Sequence, residues 1–173
     1  MKYFLIGFMG SGKTYVGKQL AQELNIPFYD LDEYLEEKEG KKISEIFEIK
    51  GEAYFRQLER MCLRDFGIIG DAVIACGGGT PCYFDNLEWI NEVGVSIYLQ
   101  TPVKILRERL SKEQSNRPLV AGKSNTELEN FIEEKMKERV DFYTKASIIY
   151  HQHKKDDDVV GEILSHLSQI TGR

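Results

Sequence analysis

Apolar positions along the chain follow two spacings that alternate from one segment to the next. Short apolar runs predict buried strands, and apolar residues that recur every three to four positions predict amphipathic helices. The runs predict five strands, at residues 3–6, 28–31, 72–75, 95–99 and 148–150. The helical spacing predicts helices at residues 16–24, 32–40, 43–47, 52–66, 87–90, 127–145 and 159–170, and a further helix that begins at Pro102.

Strands that alternate with helices predict a parallel sheet with helices on both of its faces. The expected fold class is therefore α/β, a three-layer α/β/α arrangement around a five-stranded parallel sheet. Active sites in such sheets lie at the carboxyl ends of the strands. Residues 111–125 are polar and aperiodic, and a stretch of this length in a compact domain is typical of a functional lid or a disordered loop.

Two residues are predicted to shape helix ends. Gly51 separates the apolar pattern of residues 43–47 from that of residues 52–66, and is expected to stop the first of these helices. Asp85 precedes the helix that carries Leu87 and Ile90, and its side chain is expected to cap that helix.

The strongest chemical motif, which we call the P-loop, follows the first predicted strand. Residues 7–14 read GFMGSGKT and fit the pattern G-x-x-x-x-G-K-[ST] between a strand and a helix. The glycines let backbone N–H groups point inward, which makes an anion-binding nest at a helix N-terminus. Lys13 can reach the β- and γ-phosphates, and the Thr14 hydroxyl can bind Mg²⁺. The pattern predicts nucleotide binding.

A magnesium-binding acid should end a strand beside this loop. The third and fourth predicted strands run into Ala75-Cys76-Gly77 and Leu99-Gln100-Thr101, which offer no carboxylate. Asp30 and Asp32 are the acids at a strand carboxyl end. We therefore expect one of them to bind Mg²⁺ and the other to face the molecule that accepts the phosphate. The alternative is that Asp32 caps a helix and Asp30 is a solvated turn residue.

Three consecutive glycines, Gly77, Gly78 and Gly79, follow the third predicted strand. Three glycines lose much conformational entropy on folding and contribute no side-chain packing. This favours the interpretation that a ligand lies against the backbone here over the alternative of a simple tight turn. Arg56, Arg117 and Arg139 are expected near the strand ends or the lid, although each by itself is also typical of a surface arginine.

Composition narrows the function classes. The 173 residues have the size of one domain, with 42% hydrophobic and 29% charged residues. A net charge of −5 argues against a nucleic-acid surface and means that an anionic substrate needs a local arginine cluster. No apolar run approaches the roughly 20 residues of a membrane helix, and the N-terminus, a core strand, does not resemble a signal peptide. Three cysteines without metal-type spacing are typical of a reducing cytoplasm.

Together these motifs resemble the shikimate kinase family. The resemblance rests on Gly10 to Thr14, Asp30-Leu31-Asp32, Phe55-Arg56 with Glu59, Gly77-Gly78-Gly79-Thr80, Arg117-Pro118-Leu119, and Arg139 to Tyr143. It implies a P-loop fold of the nucleoside-monophosphate-kinase type, with an acceptor-binding helical segment at about 31–60 and a lid at about 111–125. It also implies phosphorylation of the 3-hydroxyl of shikimate by MgATP, on the route to chorismate and the aromatic amino acids.

The resemblance also implies residue roles. Asp30 would join Thr14 at the magnesium ion, and Asp32 would be the partner of the reacting hydroxyl. Arg117 would close from the lid onto the transferring phosphate, which makes Lys13, Asp32 and Arg117 the catalytic set. The implied nucleotide-binding residues are Gly10, Ser11, Gly12, Lys13, Thr14, Tyr15, Arg117 and, against the adenine, Arg109. The implied shikimate-binding residues are Asp32, Gly77, Gly78 and Gly79 and, at the carboxylate, Arg56 and Arg139.

Two other function classes remain open at this stage. A related kinase for gluconate or a nucleoside monophosphate would share the P-loop and the lid, but would not need the set of Asp32, Arg56 and Arg139. A non-catalytic nucleotide-binding regulator would keep the P-loop and lose acceptor residues, none of which is missing here. The expected partners are shikimate and MgATP, with no nucleic acid and no membrane, in a cytoplasmic monomer.

Overall fold

Five parallel strands form the centre of the protein. The computed structural model describes residues 1–113, 118–152 and 158–171. The strand bounds are β1 Lys2–Ile6, β2 Phe28–Asp30, β3 Ala72–Ala75, β4 Val95–Gln100 and β5 Ile148–His151. The strands lie in the order β2-β3-β1-β4-β5, and all four neighbouring pairs are parallel. This confirms the predicted sheet.

Helices cover both faces of the sheet, as predicted. Alternating side chains of β1 point to opposite faces, so Phe4 and Ile6 enter one apolar cluster and Leu5 enters another. The helix bounds are α1 Lys13–Leu24, α2 Leu31–Glu39, α3 Ile43–Asp65, α4 Asn86–Val93, α5 Val103–Lys112, α6 Asn125–Tyr143 and α7 Val159–Thr171. The first cluster is closed by α2, α3, α4 and α6, and the second by α1 and α7.

A third apolar cluster packs against the P-loop. Phe8 packs there with Leu106 and Leu110 of α5 and with Leu128 and Ile132 of α6. Because this cluster joins the loop to α5 and α6, the two helices that flank residues 111–125 are anchored on the phosphate-binding side of the sheet.

The predicted break at Gly51 is present as a kink. Gly51 has φ 79° and ψ 173° inside α3, a left-handed conformation that glycine adopts without steric cost. The two predicted helices therefore meet at Gly51, where the first one ends as predicted, and α3 comprises both. Its second half carries Phe55, Arg56 and Glu59 past the edge of the sheet where β3 ends.

The prediction that the Asp85 side chain caps a helix was wrong. Asp85 occupies the N-cap position of α4 but makes no side-chain capping hydrogen bond. Its Oδ1 instead accepts hydrogen bonds from Arg64 Nη2 at 2.7 Å and Arg60 Nη2 at 2.9 Å. Charge-assisted bonds to two guanidinium groups are stronger than one bond to a backbone amide, and they turn the carboxylate toward α3.

The polar stretch 111–125 has structure at both ends. The first of its residues complete α5, a short 3-10 helix spans Pro118–Val120, and α6 begins at Asn125. Ser124 caps α6, since its Oγ accepts from the Glu127 amide while the Glu127 carboxylate accepts from the Ser124 amide. This capping box starts α6 two residues earlier than predicted. In the described part of the chain, no helix is long and apolar enough to cross a membrane.

Candidate active site

The P-loop joins β1 to α1 with the backbone that its glycines require. Gly7, Gly10 and Gly12 have φ values of 143°, 78° and 94°, which side chains rarely adopt. Lys13 Nζ donates hydrogen bonds to the carbonyl oxygens of Gly7 at 2.8 Å and Phe8 at 2.9 Å. The lysine ammonium is therefore held over the loop, on the side where phosphate oxygens are expected.

Ser11 adds a buried polar atom to this loop. Its Oγ is shielded from solvent and has no hydrogen-bond partner among the described residues. A buried hydroxyl without a partner is costly, and it fits a loop built to receive an anion.

A pocket of about 700 Å³ opens at the carboxyl ends of the strands, where the fold class predicts the active site. All six predicted P-loop contacts line it, together with Asp30, Asp32, Gly77, Gly78 and Arg109. Gln152, which follows β5, completes one wall. The structure therefore brings together most of the predicted nucleotide-binding and catalytic residues. Arg117 lies outside the described residues.

Thr14 and Asp30 form an oxygen-rich pair inside this pocket. Thr14 Oγ1 donates to Asp30 Oδ2 at 2.9 Å. A hydroxyl and a carboxylate suit Mg²⁺, which takes one or two protein ligands and completes its shell with water and substrate phosphates. No cluster of three or more His, Cys, Asp or Glu side chains that could hold a metal occurs in the described residues.

Asp30 also caps α2, which revises one of the alternatives from the sequence. Its Oδ1 accepts hydrogen bonds from the backbone amides of Asp32 at 3.1 Å and Glu33 at 3.5 Å. The helix cap is therefore Asp30 and not Asp32. Because the Asp30 carboxylate caps α2, the Asp32 carboxylate is not needed as the cap, and it faces the pocket.

The carboxyl group of Asp32 has an unusual acidity. Burial raises its pKa from the ordinary 3.8 to about 7, the negative charges of Asp30 and Glu59 add to the rise, and the positive charge of Lys13 opposes it. A carboxyl group with a pKa near the working pH is suited to exchange a proton with a reacting group.

The three glycines after β3 bring the backbone against three charged side chains. A Cβ at Gly77 would lie 3.0 Å from Asp32 Oδ1, and one at Gly78 would lie 3.3 Å from Arg139 Nη1. At Gly79 it would lie 2.8 Å from both terminal nitrogens of Arg56. The loop thus gathers Asp32 from α2, Arg56 from α3 and Arg139 from α6, which are the three side chains predicted to contact the acceptor.

Arg56 is held in place by carboxylates on its own helix. Its Nη1 donates to Glu59 Oε2 at 2.9 Å, and its Nη2 donates to Glu52 Oε1 at 3.3 Å. Burial lowers the pKa of Arg56, but the charge and hydrogen bond of Glu59, together with the charges of Tyr83 and Glu52, outweigh burial, and the net shift is upward. The guanidinium is thus firmly charged as well as fixed.

Glu59 is a site residue whose role the sequence did not assign. It is almost fully buried, and its Oε1 accepts a hydrogen bond from Thr80 Oγ1 at 2.6 Å. Its two oxygens therefore tie Arg56 of α3 to the residue that follows the glycines. The available signal was its spacing of three residues from Arg56, which places both side chains on one helix face.

Tyr143 supports the same loop from α6. Its hydroxyl donates to the carbonyl oxygen of Gly78, and it lies four residues beyond Arg139 on the same helix. The Arg139 guanidinium lies 5.5 Å from the ring centre of Phe8. α6 therefore supplies Arg139, which faces the acceptor side, and Tyr143, which fixes the glycine loop.

Arg109 lies at the opposite end of the pocket. Its Nη1 donates to the Gly10 carbonyl at 3.1 Å and to Gln152 Oε1 at 3.2 Å. Burial lowers the pKa of Arg109, and the charge of Glu113 opposes this shift. Gln152, which the sequence reasoning missed, also accepts from Thr101 Oγ1 at 3.0 Å, so it links the ends of β4 and β5 to Arg109.

Comparisons with known proteins identify the family. The family model described as shikimate kinase matches residues 9–168. A shikimate kinase of Bacteroides fragilis is 45% identical over 157 residues, which cover 91% of this chain and 88% of the relative. A shikimate kinase of Aquifex aeolicus is 41% identical over 167 residues, which cover 96% of each chain.

Solved structures give the same result. The shikimate kinase of Bacteroides thetaiotaomicron superposes with a TM-score of 0.91 at 37% identity, covering 100% of this chain and 99% of that one. The shikimate kinase of Acinetobacter baumannii, solved in complex with shikimate, has a TM-score of 0.84 at 31% identity, covering 99% of this chain and 93% of that one. The chain belongs to the shikimate kinase family, and it is a kinase that phosphorylates the 3-hydroxyl of shikimate with ATP, a step toward chorismate and the aromatic amino acids.

Proposed function

We propose that shikimate binds against the glycine loop, between Asp32, Arg56 and Arg139. The convergence of these three side chains on Gly77, Gly78 and Gly79 is the observation that carries the proposal. A ring with a carboxylate and several hydroxyls needs cations at one end and a carboxylate at the other. Arg56 and Arg139 supply the cations, and Asp32 supplies the carboxylate for the 3-hydroxyl.

ATP is proposed to occupy the pocket on the other side of Asp32. Its phosphates lie on the amides of Gly10, Ser11, Gly12, Lys13 and Thr14, and its adenine lies toward Arg109 with Tyr15 at the exposed edge. In this arrangement the hydrogen bonds of Lys13 to the Gly7 and Phe8 carbonyls give way to contacts with the β- and γ-phosphates. The lysine needs only to rotate its side chain for this exchange.

Thr14 and Asp30 are proposed to hold Mg²⁺ with the nucleotide. The fit rests on the hydroxyl and carboxylate oxygens that already lie 2.9 Å apart. When bound, Mg²⁺ supplies charge neutralisation for the β- and γ-phosphate oxygens. Asp30 can ligate through Oδ2 and keep its helix-capping bonds through Oδ1, so the backbone need not move.

Asp32 is proposed to orient the 3-hydroxyl and accept its proton as the phosphoryl group transfers. Phosphoryl transfer depends mostly on positioning and charge neutralisation, and the proton leaves late. The raised pKa of Asp32 matches that role, since a group with a pKa near 7 both accepts a proton and releases it after turnover. Lys13 neutralises charge on the transferring group.

Residues 111–125 are proposed to form the lid of a single kinase domain, with residues 31–60 as its acceptor-binding segment. Arg117, which falls in the lid, is proposed to approach the transferring phosphate when the lid closes. Closure would exclude water and so limit hydrolysis of ATP. The protein is proposed to act as a cytoplasmic monomer.

The acceptor is tested by measuring ADP release with shikimate, gluconate, AMP and CMP in parallel. We expect turnover with shikimate to exceed turnover with each of the others by at least about 100-fold, because each of these lacks the match to two arginines and a carboxylate. A comparable rate with gluconate or a nucleotide would contradict the proposed acceptor site. ADP release without any acceptor gives the hydrolysis background.

A further inference from the structure

Two aromatic rings lie against the Arg56 guanidinium. The Tyr83 ring lies over the Arg56 guanidinium, with 4.0 Å between the ring centre and Cζ. The ring of Phe55 lies 5.0 Å from the same atom. Only 11% of the Arg56 side chain is exposed to solvent. A guanidinium against an aromatic face is attracted to it and loses its freedom to reorient.

The hydroxyl group of Tyr83 closes this arrangement. It donates to Glu52 Oε1 at 2.9 Å, the same oxygen that accepts from Arg56 Nη2 at 3.3 Å. Tyr83, Glu52 and Arg56 therefore form a closed triangle, with Glu59 holding the guanidinium from its other end. Glu52 is more than half exposed, so without Tyr83 it would restrain Arg56 only weakly.

Tyr83 also belongs to the segment that builds the acceptor site. It lies four residues after Gly79, directly beyond the 3-10 helix Thr80–Cys82. The chain thus passes from the backbone that faces the acceptor to the ring that covers Arg56 within one short turn. Any displacement of this segment moves the glycine loop and the arginine together.

We propose that Tyr83 is a positioning residue of the acceptor site, which fixes the Arg56 guanidinium for the shikimate carboxylate by stacking on it and by hydrogen bonding to Glu52. This inference rests on the proposed role of Arg56. None of the motifs by which the chain resembles its family includes Tyr83, so the sequence pattern alone gives it no part in the site.

The neighbouring residue offers a matched control. Phe84 stacks on Arg60, one helical turn along α3, with 5.3 Å between its ring centre and the guanidinium carbon. Arg60 pairs with Asp85 at 2.9 Å and does not contact the glycine loop. Phe84→Leu therefore removes a similar stack from a similar helix position outside the site.

The test is steady-state kinetics of Tyr83→Leu, Tyr83→Phe and Phe84→Leu, with shikimate and ATP varied separately. We expect Tyr83→Leu to raise the shikimate KM by about three- to tenfold, the range of a partly desolvated cation–π contact. Its ATP KM should stay within about twofold of the parent value. Tyr83→Phe keeps the ring, so its shikimate KM should stay within about threefold of the parent value. Phe84→Leu should leave the shikimate KM and the ATP KM unchanged.

A double-mutant cycle separates this inference from the role of Arg56. If Tyr83 acts through Arg56, Tyr83→Leu should add less than about twofold to the shikimate KM in an Arg56→Lys background. Thermal melting of each variant checks that the fold is retained.

The outcomes differ for the two claims. A raised shikimate KM in Arg56→Lys with a parental value in Tyr83→Leu overturns the role of Tyr83 and leaves the proposed acceptor site intact. A parental shikimate KM in Arg56→Lys overturns the role of Arg56 and, with it, that of Tyr83. Equal rises of the shikimate and ATP KM in Tyr83→Leu, or full additivity in the cycle, also overturn the inference, since a general loss of structure would act in that way.

Discussion

Tyr143 and Tyr98 stack on each other, with ring centres 4.9 Å apart, yet their hydroxyl groups have different environments. The Tyr143 hydroxyl donates to the Gly78 carbonyl. The Tyr98 hydroxyl is buried and has no hydrogen-bond partner among the described residues. Two adjacent phenols in one core therefore allow a direct comparison between a hydroxyl that fixes the glycine loop and one that fixes nothing.

Tyr143→Phe is expected to lower stability and weaken shikimate binding. It removes the donor of the part-buried Gly78 carbonyl, a hydrogen bond that contributes about 0.5–1.5 kcal/mol, and loosens the loop at the acceptor. Tyr98→Phe removes a hydroxyl that has no described partner, so its stability should equal or exceed that of the parent. Thermal unfolding and the shikimate KM of both variants check this, and equal effects of the two substitutions would contradict it.

Lys13→Ala is expected to lower kcat by at least about 100-fold, because it removes the cation that we propose neutralises charge on the transferring phosphoryl group. The fold should survive, since the Lys13 side chain lies at the pocket and is only partly buried. Circular dichroism and initial rates test both statements. Lys18→Ala, an exposed lysine on the same helix, serves as the control, and a Lys13→Ala kcat within a few-fold of the parent would exclude the assignment.

Asp32→Asn is expected to lower kcat far more than it raises the shikimate KM. The carboxylate acts most strongly as the hydroxyl proton departs, so its loss falls mainly on the transition state. Glu33→Gln, at the exposed neighbouring position, should leave kcat unchanged. Initial rates over a range of shikimate concentrations measure both constants, and an unaltered kcat in Asp32→Asn would leave Asp32 without a catalytic role.

The same residue predicts a pH dependence of stability in the free protein. Because the pKa of Asp32 rises from 3.8 to about 7 on folding, the folded protein binds this proton more tightly than the unfolded chain does. The contribution of Asp32 to the free energy of unfolding is present below about pH 4 and is lost as pH rises toward 7.

Asp32→Asn has no carboxyl group to titrate at this position, so it does not lose this stability as the pH rises. The Tm of the variant minus the Tm of the parent should therefore be larger at pH 8 than at pH 5 by at least about 2 °C. Melting is measured with EDTA and without nucleotide, because a bound cation would shift the same titration. A Tm difference that stays constant with pH would show that the carboxyl group is not perturbed.

Arg139→Lys is expected to raise the shikimate KM, or lower kcat/KM, by about ten- to a hundredfold, as loss of one charge-assisted hydrogen bond implies. Lysine keeps the charge but cannot form the paired contact of a guanidinium with a carboxylate. The ATP KM should change little. Arg107→Lys, which alters an arginine paired with Glu129 at 2.7 Å, is the control. A rise in the ATP KM of Arg139→Lys would instead assign this arginine to the nucleotide side.

Much of the fold was predictable because its signals are local. The apolar runs located all five strands, and the P-loop pattern located the pocket. The break between the two halves of α3 was predictable, because it lies at Gly51, whose backbone dihedral angles are non-helical. The role of Asp85 was missed because its partners Arg60 and Arg64 lie more than twenty residues away.

The site was less predictable than the fold, because its residues meet only through tertiary contacts. Asp30 and Asp32 are equivalent in the sequence, and only the hydrogen bonds of the Asp30 carboxylate assign the helix cap to it. Glu59 has the sequence context of an exposed ion pair on a helix. Its burial beside Thr80 depends on where β3 ends relative to α3, and no local pattern contains that information.

The closeness of Asp32 and Asp30 has a consequence for the end of the catalytic cycle. Before transfer, the proposed acceptor oxygen beside Asp32 belongs to a neutral hydroxyl, which a carboxylate attracts. After transfer, the same oxygen carries a phosphate group with negative charge, and once Asp32 has released the proton that it accepted, this phosphate lies next to two carboxylates. An arrangement that attracts the substrate therefore repels the product, and in this site electrostatic repulsion favours release of the phosphorylated ring once ADP and its cation depart.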